Sequence, residues 1–292
     1  MVILVVKRGD QNQFLYETNI NSSVDDVFND IVAIFNGRLK VERLCYEMEE
    51  LMKHGTFLPP EMQGLNEDQI KELKLTDPWA ERCSPPNFVV CKDEMGRRCG
   101  LAPEAKIQDV MKKAMEDAKE FISKKHVDLR KNLTQKDVAR ALDELRGASK
   151  IAFPKGLPPH DPVRMELDNV EDLTGTQAST EIIDPSRGCL WACGKKFLSG
   201  NKLSDHLGKN DKCKVVVKLC SSNEGAPGRE PVMTEEQRKQ LMLHAYRKQE
   251  EWKKLEMDED DSYLNSKWAD NQNMKRQFHG MKDISWKPTI GK

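Results

Sequence analysis

The chain has 292 residues, of which 33% are charged and 38% apolar, and its formal net charge is −1. That balance gives the whole chain no electrostatic bias toward nucleic acid or anionic membrane, and no apolar run approaches the ~20 residues of a membrane span. Residues 1–10 have no basic stretch ahead of their apolar residues and no small-residue cleavage site, so they do not read as a signal peptide. An intracellular protein is expected, with its eight cysteines as thiols or ligands rather than disulfides.

"VILVVKRGDQNQFLYETN" places two apolar or alternating runs around Lys7, Arg8, Gly9 and Asp10, which predicts a β-hairpin. Ser22 or Ser23 then caps a helix carrying Val24, Val27, Phe28, Ile31, Ile34 and Phe35, and Asn36 with Gly37 is expected to end it. A β-β-α start of this size is the opening of a ubiquitin-like β-grasp. A second helix is expected over residues 41–54, stopped by Gly55, with Leu44, Met48, Leu51 and Met52 on one face. Asn66 caps a short helix holding Ile70 and Leu73, which closes a first module at residues 1–76.

Residues 77–103 carry four prolines and two glycines and read as a loop, with "NFVVCKD" as a short strand. From residue 104 the period is helical: Ile107, Val110, Met111, Ala114, Ala118, Phe121 and Ile122 form one stripe. Thr134 with Asp137 opens another helix carrying Val138, Ala141, Leu142 and Leu145, so residues 104–153 read as a helical hairpin. Met48, Met52, Met111 and Met115 stand at helical spacing, as core or interface filler.

Residues 154–234 are expected to be a mixed α/β region. They begin with a proline-rich strap at 154–162 and include the strand "VVVKLC". Residues 235–292 read as a long charged helix with a thin seam of Leu241, Ala245, Trp252 and Leu255, opened by a capping box of Thr234 and Gln237, followed by an aromatic arm. The predicted fold class is α+β: a β-grasp module, a helical region, a smaller mixed region, and a long helix with an extended tail.

The sharpest local pattern is "CLWACGKKFLSGNKLSDHLGKNDKC". Cys189, Cys193, His206 and Cys213 resemble the ligand order of a small zinc finger, with Phe197 and Leu203 as its core. Eight Lys/Arg against two Asp over residues 187–218 would suit a finger that binds nucleic acid. The alternative is an apolar, basic helix over "CLWACGKKFL", then a turn and a strand, with the cysteines as small core residues. The last ligand gap exceeds the usual three to five residues.

"GKNDK" lacks the upstream glycine and the Ser/Thr of a phosphate-binding loop, and the acidic run at 258–261 lacks the alternation and glycine of a calcium loop. No catalytic, cofactor-binding or metal-binding set is assigned. The arm offers better material. Tyr263, Trp268, Arg276, Phe278 and Trp286 are partner-binding candidates, because aromatics and arginine dominate interface energetics. The competing reading folds the same rings back onto the protein's own core.

Four long stretches, with the hairpin start "VKRGDQNQFL", carry a resemblance. They are "NGRLKVERLCYEMEELMKHGTFLPPEMQGLNEDQIKELKL", "GLPPHDPVRMELDNVEDLTGTQA", "EQRKQLMLHAYRKQEEWKKLE" and "YLNSKWADNQNMKRQFHGMKDISWKP". Together they resemble the Kurly family of cilia- and flagella-associated proteins. The resemblance implies a non-enzymatic factor of the cytoplasm and the ciliary basal body, acting in outer dynein arm assembly, ciliary motility and planar polarity. It implies protein partners from the dynein arm preassembly machinery, including a co-factor with a MYND-type zinc finger. No nucleic acid, membrane, small-molecule substrate or cofactor is implied, and no catalytic residue carries over.

Overall fold

The computed structural model describes residues 1–228, 233, 235–257 and the isolated positions 272, 275 and 279. The chain divides into two compact units, Met1–Arg229 and Glu230–Lys292.

The first unit opens with strands β1 (Val2–Arg8) and β2 (Gln11–Thr18), an antiparallel hairpin turned at Gly9, whose φ is +60°. Helix α1 follows (Val24–His54). The Ser23 side chain accepts from the Asp25 amide at 3.2 Å and so satisfies one of its free N-terminal donors. At 31 residues α1 is far longer than the usual ~12.

The expected break at Asn36 and Gly37 is therefore corrected: the helix runs straight through, and both residues serve packing. The Asn36 amide donates to the Ile183 carbonyl at 2.8 Å and accepts from the Ile183 amide at 3.1 Å, a two-point clamp. Gly37 leaves a notch that Val138 fills. The true stop is Gly55, with φ +76°, where a Cβ would run into the Leu101 carbonyl.

Two short helices follow, α2 (Glu67–Glu72) and α3 (Ala80–Cys83). Next comes a small antiparallel ribbon of β3 (Phe88–Val90) and β4 (Leu101–Pro103). Helices α4 (Ala105–Phe121) and α5 (Gln135–Ala152) form the expected hairpin and lie on α1. Thr134 and Asp137 exchange the capping bonds that their spacing announces. Met111, Met115, Ala118, Ala141 and Leu145 are buried, with the Met48 side of α1 in the same core.

Helices α6 (Pro162–Leu167) and α7 (Gln177–Glu181) lead to strands β5 (Gly188–Ala192) and β6 (Lys195–Lys196), helix α8 (Leu203–Leu207) and strand β7 (Lys214–Ser221). The sheet order is β2-β1-β7-β5-β6. β7 runs parallel to β1, from Ile3 opposite Lys214 to Lys7 opposite Lys218, and β5 pairs antiparallel with β7. A hairpin, a helix across one face, a parallel return beside β1 and a second hairpin are the β-grasp arrangement. The closing strands come from residues 188–221, and everything from 56 to 187 is inserted between α1 and β5.

"CLWACGKKFL" is not a helix. It is the β5–β6 hairpin, turned at Cys193 (φ +50°) and Gly194 (φ +75°). Two consecutive left-handed residues make the turn that matches strand twist. Val2, Leu4, Val6, Val217, Leu219 and Leu190 face α1 in the main core. Val5, Leu15 and Val127 form a small cluster of their own. Leu133 donates to the Leu15 carbonyl at 2.8 Å, so the insertion caps the open edge of β2.

In the second unit, helix α9 (Glu235–Met257) is the expected long charged helix, with Leu241, Trp252 and Leu255 exposed. Its predicted capping residue Thr234 lies outside the described residues.

Candidate docking groove

Helix α1 buries one stripe and presents another. Glu42, Arg43, Tyr46 and Glu47 stand one helical turn apart in pairs on its outer side, and Tyr46 is 65% exposed. A large aromatic on the polar side of a helix has no core to enter. Facing it are α6 and the stretch up to α7. Between them lies a groove of about 730 Å³ with Tyr46, Met165 and Leu173 among its apolar lining.

The proline-rich strap sets one wall of this groove, because it is pinned rather than loose. Asp161 is fully buried and accepts two backbone N–H groups, Phe57 at 3.0 Å and Val163 at 2.9 Å. It thereby caps α6, with Pro162 at the first helical position, where a missing N–H costs nothing. His160 Nε2 donates to the Phe57 carbonyl at 2.9 Å. Arg98 stacks over the Phe57 ring, donates to the Gly55 carbonyl at 3.0 Å and meets Glu47 Oε2 at 2.9 Å. Burial pushes the Asp161 carboxyl above its ordinary range, against the pull of Arg98 and of the two amides.

The groove is acidic. Six of its lining residues are carboxylates and one, Arg43, is a cation. Arg43 Nε is held by Glu166 Oε1 at 2.8 Å, and Lys40 Nζ reaches Glu171 Oε1 at 2.8 Å. The second oxygens of Glu166 and Glu171 are buried and have no hydrogen-bond partner among the described residues. Burial raises the Glu166 carboxyl above the usual range despite the bond from Arg43, and it raises Glu47 despite Arg98. The site therefore holds negative charge that its own cations leave partly unanswered, beside exposed apolar surface.

The zinc-finger set does not assemble. Cys189 is buried in β5 opposite Cys220 of β7, and Cys193 is exposed in the hairpin turn. The His206 ring lies on Phe197, with centroids 4.8 Å apart, and the Cys213 carbonyl accepts from the Ile3 amide at 3.0 Å. Phe197 and Leu203 belong to the main core. Among the described residues no three His, Cys, Asp or Glu side chains are grouped to hold a metal, and no helix is long and apolar enough to cross a membrane. The partner-binding candidates Tyr263, Trp268, Arg276, Phe278 and Trp286 lie outside the described residues.

Sequence reasoning missed Tyr46, Met165 and Leu173. Tyr46 was the legible one, since it sits two positions off the Leu44, Met48, Leu51 stripe. Met165 and Leu173 sit in a stretch with no clear period.

The family model described as "Cilia- and flagella-associated protein 298" matches residues 188–284. Cilia- and flagella-associated protein 298 of Mus musculus is 53% identical over 289 residues, covering 99% of this chain and 100% of its own length. The proteins of the same name from Homo sapiens and Drosophila melanogaster are 52% and 51% identical, over 99% and 98% of this chain and 100% and 99% of their own. No solved structure matches the chain.

Proposed function

The chain belongs to the cilia- and flagella-associated protein 298 family, and from that premise we propose that it is a non-enzymatic adaptor for motile cilia, acting in the cytoplasmic assembly of outer dynein arms. The observation that carries this reading is identity above one half along the whole length of relatives that bear the ciliary name. The β-grasp frame and the acidic groove support an adaptor's role, since they offer a rigid scaffold and a contact surface. Under the same proposal it works in the cytoplasm and at the basal body, where it contributes to ciliary polarity. Its partners are proteins of the dynein arm preassembly machinery, including a co-factor with a MYND-type zinc finger. The aromatic arm, through Trp268 and Phe278, supplies a second contact.

Electron microscopy of axonemal cross-sections from cells lacking the protein tests this. Missing outer arms on intact doublets are expected. Full outer arms would overturn the assembly role, and full arms on misplaced cilia would move the function to basal-body positioning.

A further inference from the structure

We propose that the groove between α1 and the α6–α7 segment binds a basic amphipathic helix of a partner protein, one that carries lysine or arginine beside large apolar side chains.

The charge of the groove selects the sign of the guest. Of its six carboxylates, Glu166, Glu171 and Glu47 are held by Arg43, Lys40 and Arg98, while Glu42, Asp172 and Glu181 stand exposed in the lining. Glu166 is 6% exposed, and its Oε2 has no hydrogen-bond partner among the described residues; Glu171 Oε2 is in the same position. Those two oxygens are sealed from a guest; the exposed carboxylates of Glu42, Asp172 and Glu181 are the ones that a guest lysine or arginine pairs with. An acidic guest would add repulsion at every one of these positions.

The apolar lining selects the rest of the guest. Tyr46 stands 65% exposed at the mouth, and Met165 and Leu173 lie partly open across from it. Exposed aromatic and thioether groups inside a polar rim are the layout of an interface anchor. α1 makes one wall, α6, α7 and the non-helical stretch between them make the other, and no strand edge lines the groove, so a guest cannot add itself as a β-strand. A helix set into a groove by its apolar face is the remaining common mode. This inference stands on the groove alone and does not require the ciliary role.

The test uses the full chain and a fluorescein-labelled helical peptide of lysine and leucine at amphipathic spacing, with a glutamate-for-lysine copy as control. Saturable binding of the basic peptide is expected, with none by the acidic copy. Tyr46→Ala should weaken it by about tenfold or more, the mark of a lost interface anchor. The pair Glu42→Gln with Glu181→Gln should do the same, while Glu144→Gln on α5 should change nothing. Tyr46 is largely exposed, so its variant keeps the fold and decides the matter even if the glutamine pair melts early. Equal binding of both peptides, or wild-type affinity in Tyr46→Ala, overturns the proposal. So does carbodiimide cross-linking of Asp172 or Glu181 to Lys267, Lys275 or Lys282 within one molecule, because the chain's own end would then be the guest.

Discussion

A Cβ built on Gly37 would stand 2.7 Å from Cγ1 of Val138, so α5 rests on α1 at the one point where α1 has no side chain. In an exposed helix interior, Gly→Ala stabilises by about 1 kcal/mol. Here the added methyl meets a β-branched side chain that cannot swing aside, and overpacking of that kind costs about 1–3 kcal/mol. Gly37→Ala should therefore lower stability by about 1 kcal/mol in a denaturant melt. In a Val138→Ala background the same change should be neutral or stabilising. A loss of equal size in both backgrounds would contradict the packing account.

Arg38 is a buried cation, 3% exposed, that ties three elements together. Its Nε donates to the Ile122 carbonyl at 3.0 Å, and its Nη1 donates to the Gln13 carbonyl at 2.9 Å. Burial lowers its pKa from the ordinary value, with Glu42 opposing. Arg38→Met keeps much of the volume but strands two buried carbonyls, at about 1–3 kcal/mol each before any relaxation. A destabilisation of about 2–4 kcal/mol is expected by chemical denaturation. Arg38→Lys should recover only part of it, since a single ammonium replaces a fork of fixed donors.

The raised carboxyl of Asp161 gives a pH signature. Its folded pKa lies above the ordinary 3.8, so the folded state holds a proton that the unfolded chain has released. The contribution of Asp161 is fully present below pH ~3.8 and shrinks as pH rises toward its folded value. Asp161→Asn does not titrate and sets an amide N–H₂ against one of two backbone donors, so it should be less stable by about 1–3 kcal/mol. The gap between wild type and variant should narrow as pH rises from about 4. Thermal melts across that range check it, and a gap that widens would reverse the assignment.

Thiol labelling separates the cysteines. Cys91 and Cys193 are exposed, whereas Cys45, Cys83, Cys189 and Cys220 are buried. Burial pushes the Cys45 thiol up to about 11. Iodoacetamide on the native chain, read by peptide mass, should label Cys91 and Cys193 first and Cys45 only with global unfolding. Early labelling of Cys45 would mean that α1 and α4 part far more readily than their packing implies.

Much of this fold could be read from the residues. The first hairpin, the Ser23 cap, the Thr134 and Asp137 box and the stripe of α4 all rest on local chemistry, which sequence records directly. The pairing of β7 with β1 was not legible, because its register is set by tertiary burial. Asn36 and Gly37 misled for a physical reason. The same pair that stops a helix in isolation can serve as clamp and notch within one, and the distinction lies in Ile183 and Val138, more than a hundred residues away. Cys189, Cys193, His206 and Cys213 kept finger-like spacing only because two strands and a short helix happen to share that rhythm. The groove was half visible: Tyr46 stood off its stripe, but its opposite wall comes from a stretch without period.

The parallel pairing of β1 with β7 joins positions 211 apart, Ile3 with Lys214. A ribosome adding about 5–20 residues per second takes roughly 10–40 s to make the second strand after the first. Through that interval the hairpin of β1 and β2 has an unpaired edge of apolar residues, a template for pairing with other nascent chains. Closing so long a loop is slow, and the entropy is lost before the contact forms. The molecule thus depends, during its own synthesis, on whatever covers that edge until its partner strand arrives.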